Sequence, residues 1–282
     1  MDWSKSKNVL IFALLITNII LLFFVYRDQR AIGDGTLTRS FVQDTIKMLE
    51  EKDIHIDAKI PRRNIKLNSL SVEFEKKTPE ELNQGFFDNK GTVLRVAKDL
   101  IKMDYKNESI SIVNNRRILY ENRRKSPGGK APSKEESLNM VQEFLRTRDY
   151  PDGDMILTFY KKEKDQAFLE YSKTYEEVLV ESSYTNFVVD KDGVRSMDRL
   201  WLNVIEISNN DIALASAPKA LLSFLDQPKY YHRRIETLDP CYYFNPEEQG
   251  YVEDLTKARQ GRAIPAWRVQ FQDGEKVVID IY

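Results

Sequence analysis

Residues 267–281 read WRVQFQDGEKVVIDI. Trp267, Val269 and Phe271 alternate with polar residues, Asp273 and Gly274 supply a turn, and Val277, Ile279 and Ile281 alternate back. Period-two alternation on both sides of an Asp-Gly pair is the sequence form of an antiparallel β-hairpin. The same form recurs upstream. Ile110 and Ile112 alternate, Asn114 and Asn115 can turn, and Ile118 and Tyr120 return; Asp192 and Gly193 offer another turn, leading into a strand around 194–207. Further strands are expected at 54–60, at 70–74, and at about 155–160, 167–174 and 184–190. Helices are expected to precede them. Thr78 with Glu81 and Ser133 with Glu136 are capping boxes, the first with Pro79 at the first helical position. Apolar stripes at helical spacing mark further helices over about 38–51 and 218–225. Helix first and hairpins after, three times over, predicts an α+β body with antiparallel sheets rather than parallel βαβ units.

The opposite end of the chain is of another kind. Residues 8–26, NVLIFALLITNIILLFFVY, carry no formal charge. As a helix they would span roughly 28 Å, close to the ~30 Å hydrocarbon core of a bilayer. A cleavable signal has a shorter apolar region followed by a small-residue site, whereas here Arg27, Asp28 and Arg30 follow directly. The expectation is one uncleaved transmembrane anchor. Trp3, Lys5 and Lys7 before it, and Phe24, Tyr26 and Arg27 at its end, are the residue types that sit at a membrane interface. The positive charges on the two sides nearly balance. A cytoplasmic N-terminus with the body outside is expected because a short leader is an ordinary cytoplasmic stub and long domains translocate regardless of charge. Thr17 and Asn18 form a polar pair near midplane, and an Asn amide there gains from a polar group on a neighbouring helix. They are the candidate transmembrane contact with a partner.

The whole chain of 282 residues has a net charge of −1, with 31% charged residues and a mean hydropathy of −0.51. That balance gives no reason to expect nucleic-acid binding. Cys241 is the single cysteine, so no intrachain disulfide holds the body, and its aromatic neighbours mark it as a core residue. Residues 126–132, Ser-Pro-Gly-Gly-Lys-Ala-Pro, read as a linker. The expected organisation is a leader (1–7), the anchor (8–26), a juxtamembrane linker (27–37), a first α+β domain (38–125), the linker, and a second α+β domain (133–282) with possible sub-modules at 133–215 and 216–282.

Motifs for chemistry are sparse. His55 falls on the polar face of its strand and His232 in a Tyr-Tyr-His-Arg-Arg run, neither with a second His or Cys at metal-ligand spacing. Gly128, Gly129 and Lys130 lack the remainder of a phosphate loop, and no G-x-S-x-G elbow is present. Glu176, Glu177 and Glu181 read as a solvated strand face. No catalytic, cofactor or metal residue is assigned. Arg116, Arg117, Arg123, Arg124 and Lys125 concentrate positive charge at the end of a hairpin and the linker. They are basic gatekeepers of a sheet edge, or else a docking patch for an acidic partner surface or an anionic envelope polymer.

The start Met1-Asp-Trp-Ser-Lys-Ser-Lys7, running straight into one apolar helix, resembles the YycI (WalI) family, as does Ile264-Pro-Ala-Trp-Arg-Val269 leading into the terminal hairpin. PepSY-like modules and YycH proteins share the flavour of that hairpin. The resemblance implies a membrane-anchored extracytoplasmic accessory protein of low-GC Gram-positive bacteria. It would act with a YycH-like protein on the WalK-type sensor histidine kinase that controls cell-wall metabolism. The family brings no catalytic motif. The alternative is an envelope-binding or protease-inhibiting PepSY-like module whose helix only anchors it.

Overall fold

The computed structural model describes residues 14–22, 39–125, 128–246 and 259–280. Helix α1 covers residues 14–22. There follow α2 (Arg39–Glu50), β1 (His55–Ile56), β2 (Lys66–Phe74), α3 (Pro79–Phe87), β3 (Thr92–Ala97), β4 (Leu100–Tyr105), β5 (Glu108–Val113) and β6 (Arg117–Asn122). The second half contributes α4 (Lys134–Arg146), β7 (Met155–Lys162), β8 (Ala167–Tyr175), β9 (Val178–Asp190), β10 (Gly193–Leu200), β11 (Leu202–Ala213), α5 (Ala217–Leu222), β12 (Arg234–Tyr243), β13 (Gln260–Phe271) and β14 (Lys276–Ile279). The class is α+β with a mostly antiparallel open sheet. Its longest path runs β11-β2-β13-β12-β9-β10-β6-β5-β4-β3, and the parallel contacts are β1 with β12 and β12 with β9.

Local signals are realised closely. Thr78 Oγ1 accepts from the Glu81 amide while Glu81 Oε2 accepts from the Thr78 amide, and Ser133 and Glu136 repeat the exchange. Each box satisfies two of the amide donors that open a helix. Asn114 and Asn115 both adopt φ near +55°, which Asn tolerates better than most residues, and so turn β5 back into β6. In the terminal hairpin Trp267 faces Ile279 and Val269 faces Val277. Gly274 holds φ +91°, and a Cβ there would meet the Phe159 ring of β7 at 2.8 Å. Gly274→Ala is therefore expected to cost about 1–2 kcal/mol from backbone strain, with more if the ring cannot move aside. A urea unfolding curve read by circular dichroism measures it.

Two readings change. Residues 126–132 lie between β6 and α4, yet strands on either side of them share one sheet, since β6 pairs with β10. One apolar cluster also takes Leu82, Phe87, Met103, Ile110 and Tyr120 from before the linker and Val141, Phe144, Leu169, Phe187 and Met197 from after it. A second cluster unites Leu49 and Ile54 with Leu221, Phe224, Ile235, Trp267 and Phe271. The chain is therefore interleaved. An outer group (α2, β1, β2 and β11–β14 with α5) surrounds in sequence an inner group (α3–α4 and β3–β10). The division into 38–125 and 133–282 does not follow the cores, because strand pairing and apolar burial join segments the linker separates in sequence. The acidic run is also not one solvated strand face. Glu176 and Glu177 make the turn between β8 and β9 with φ +48° and +67°, while Glu181 is buried and pairs with Arg268.

The chain passes between the groups at Glu75 and at Trp201, whose backbones are joined by a 2.7 Å bond from the Glu75 amide to the Trp201 carbonyl. Arg199 seals the crossing. Its Nε and Nη2 donate to the two Glu75 carboxylate oxygens at 2.8 and 3.1 Å, Nη1 donates to Thr185 Oγ1 at 2.9 Å, and the guanidinium stacks 4.2 Å from the Trp201 ring centroid.

Candidate functional site

Three surfaces were candidates for function. The first is the apolar run. Of residues 8–26 the described ones are 14–22, all of them helical, and among the described residues no helix is long and apolar enough to cross a membrane. Yet Leu14, Leu15, Ile16, Ile19, Ile20, Leu21 and Leu22 are each 46–66% exposed, so the described body leaves them uncovered. Thr17 and Asn18 are exposed on the same helix. By helical spacing Asn18 shares a face with Leu14, Leu15, Leu21 and Leu22. Trp3, Lys5, Lys7, Phe24, Tyr26 and Arg27 lie outside the described residues, as do the leader 1–7 and the juxtamembrane segment 27–37.

The second surface is the basic cluster, which the fold takes apart. Arg116 and Arg117 stand at one end of β6 and Arg123, Arg124 and Lys125 at the other, about 20 Å away at strand rise. Arg116 lies 4.6 Å from the Phe74 ring centroid, and Arg117 forms a fork with Asp198 at 2.7 and 2.6 Å. Arg123 pairs with Asp104. Arg124 bonds Asp190, a buried carboxylate it shares with Arg195. Local alternation could not show these partners, because Asp190 and Asp198 are contributed by β9 and β10. A charge reversal meant to probe docking must spare Arg124, since it would leave Asp190 facing an anion.

The third surface is a groove of about 460 Å³ between α4, the β5–β6 hairpin and the β9–β10 turn. Tyr120 and Phe144 floor it; Glu108, Arg124, Glu143 and Arg148 line its rim. Arg148 lies 3.9 Å from the Phe144 centroid and also over Phe86 and Tyr120, while Nη1 donates to the Phe144 carbonyl at 3.3 Å and Thr147 Oγ1 at 3.0 Å. It thereby caps the end of α4 and fixes the aromatic floor. Burial, then the charge of Glu108, pushes the Tyr120 hydroxyl up to about 12, so it stays protonated at neutral pH. Arg146 holds Glu143 below the usual carboxylate range. An aromatic floor with mixed charges at the rim suits non-covalent docking of a polypeptide.

The fold as a whole has structural relatives. An uncharacterized protein from Eubacterium rectale matches with a TM-score of 0.51 at 11% identity, over 85% of this chain and 94% of that one. That match shows a shared fold. Looser likenesses are YycH from Bacillus subtilis (TM-score 0.49, 11% identity, 75% of this chain and 52% of that chain) and the YpeB C-terminal domain from Bacillus megaterium (TM-score 0.42, 8% identity, 74% and 93%). No family model matches the chain, and no curated protein does.

Buried charge is what sequence reasoning missed most. Alternation in residues 267–271 places Arg268 and Gln270 outward, but both are 1% exposed. Arg268 pairs with Glu181 and donates to Gln270 Oε1 at 2.9 Å, and Lys276 adds a bond to Glu170. Cys241, between strands β9 and β13, is fully buried, and that burial pushes its thiol well above the ordinary range. A hidden, protonated thiol behaves as a small core residue.

Proposed function

We propose that this chain is a membrane-anchored extracytoplasmic accessory protein that regulates a WalK-type sensor histidine kinase together with a YycH-like partner. The observation that carries the reading is the apolar helix α1, uncovered by the body, within an uncharged run of bilayer length. The leader sequence, with its resemblance to the YycI family, supports the choice of partner. Such a regulator needs only different affinities for two states of the kinase, and no bond need be made or broken. Confinement to the bilayer raises effective concentration, so weak contacts at Asn18 and on the body suffice.

Exchanging residues 8–26 for an unrelated membrane span tests this directly. Kinase output, read from a reporter of its response regulator, is expected to lose its dependence on this protein while membrane fractionation stays unchanged. Intact regulation would overturn the reading. It would instead favour an envelope-binding or protease-inhibiting module, in which the groove of Tyr120, Phe144 and Arg148 is the working surface and the helix only an anchor.

A further inference from the structure

The chain has two histidines, at 55 and 232, and both converge on one carboxylate. His55 Nε2 lies 2.8 Å from Asp53 Oδ1 and His232 Nδ1 lies 2.7 Å from Asp53 Oδ2. No motif predicts this, because His232 and Asp53 are 179 positions apart.

The backbone shows that the arrangement is built. Helix α2 ends in a Schellman motif, with the Ile54 amide bonded to the Leu49 carbonyl at 3.0 Å and the Asp53 amide to the Glu50 carbonyl at 2.8 Å. The apolar contact that accompanies such motifs is present, since Leu49 and Ile54 are both fully buried in one cluster. Asp53 occupies the left-handed position with φ +57°, where glycine is the least costly residue. His232 is left-handed too, with φ +61°. Two strained non-glycine residues therefore face each other, and strain of this kind persists where the surroundings over-determine it.

The neighbouring charges leave Asp53 to the imidazoles. In the segment entering β12, Arg233 is engaged by Asp273 and Glu275 at 2.6–2.7 Å, and Arg234 by Asp57 at 2.7 Å. Lys52 lies over the Tyr231 ring and Lys229 over Tyr230. Glu50 closes α2 and Glu51 follows it, two positions before Asp53. The hydrogen bonds from His232 and then His55 hold the Asp53 carboxyl below the usual carboxylate range. Among the described residues no group of three His, Cys, Asp or Glu is disposed to hold a metal ion.

We propose that Asp53, His55 and His232 form a proton-operated clasp that tightens the attachment of α2 to the body in mildly acidic surroundings. The other ties at this point are the two-residue parallel pair of β1 with β12, the Arg234–Asp57 ion pair, Lys52 over the Tyr231 ring, the buried Leu49 and Ile54, and a 3.5 Å bond from the His232 amide to the Lys52 carbonyl. Imidazole gains its charge between about pH 8 and 5, and a cationic donor holds a carboxylate more strongly than a neutral one. The Asp53 contribution has the opposite limit. With its folded-state value lowered, it stabilises the closed form above the ordinary carboxylate range and fails as pH falls through that lowered value. The clasp is thus tightest at mildly acid pH. Because α2 is the first described body element after the apolar run, the clasp would govern how firmly the membrane-proximal segment is held; only that consequence depends on the proposed anchor.

Hydrogen exchange on the full-length protein in lipid nanodiscs, with EDTA present and rates corrected for intrinsic exchange, tests it. Peptides covering 50–57 and 230–236 are expected to be about fivefold more protected at pH 5.5 than at pH 7.5, consistent with two exposed ion pairs of modest strength. Asp53→Asn, which suits the left-handed backbone, should abolish that ratio, and His55→Gln with His232→Gln should do the same. A ratio unchanged in Asp53→Asn overturns the proposal. Protection that follows added zinc rather than acid also overturns it, in favour of a metal. Neither result depends on kinase regulation, so failure here and failure of the proposed function are distinguishable.

Discussion

Glu75→Ala is expected to lower stability by about 3–5 kcal/mol, because it strips the carboxylate from a buried guanidinium. Arg199 is 1% exposed, and its Nε and Nη2 have Glu75 as their partner. Thr185 can keep one donor of the fork but cannot balance its charge. The penalty belongs to the orphaned charge rather than to the pair, which gives a sharp control. Glu75→Leu combined with Arg199→Met should recover most of the loss, since replacing both members of a buried pair with apolar side chains is often neutral. Urea midpoints for Glu75→Leu, Arg199→Met and the double variant, with slopes checked for constancy, measure the coupling. A double variant as unstable as Glu75→Ala would mean that the pair is needed for the crossing itself.

Trp267→Ala is expected to cost a similar 3–5 kcal/mol through the cavity it leaves. The indole is 1% exposed in the cluster that joins Leu49 and Ile54 to Leu221, Phe224 and Phe271. Its Nε1 donates to the Ala215 carbonyl at 2.8 Å, ahead of α5. Trp267→Phe fills most of the volume but leaves that carbonyl unpaired, so about 1–3 kcal/mol should remain. Loss of the α2 amides from the slow-exchanging set in Trp267→Ala, with those of α3 and α4 retained, would show that the damage is confined to the outer group.

What could be read from the sequence was local. The two capping boxes, the Asn114–Asn115 turn and the terminal hairpin each need fewer than about fifteen consecutive residues, and each is present. Strand β12 was hidden by Pro240, since a proline argues against a central strand. It is tolerated because β1 pairs at Arg234 and Ile235 and β9 at 241–243, leaving no ladder on that side at position 240. Strand β3 was missed because all six of its residues are exposed, so no alternation marks it. The expected domain boundary failed for a different reason. Gly128 and Gly129 do take positive φ, but a run of chain breakers does not say which cores its flanks enter. The partners of Arg117, Arg124 and His232 were illegible for the same reason, as each is contributed by a distant strand or turn.

The interleaving of the two groups also has a consequence for the order in which the protein is made. Strand β2 leaves the ribosome early, yet its neighbours β11 and β13 lie beyond the inner group, and Glu75 waits 124 positions for Arg199. The inner strands are all present once residue 200 has emerged, so that half can close first around Phe144 and Phe187. Until β13 arrives, Leu70 and Val72 have no complete core to enter. Biosynthesis therefore holds the outer half open longest, and the final hairpin, with which the chain ends its described residues, is the step that shuts it.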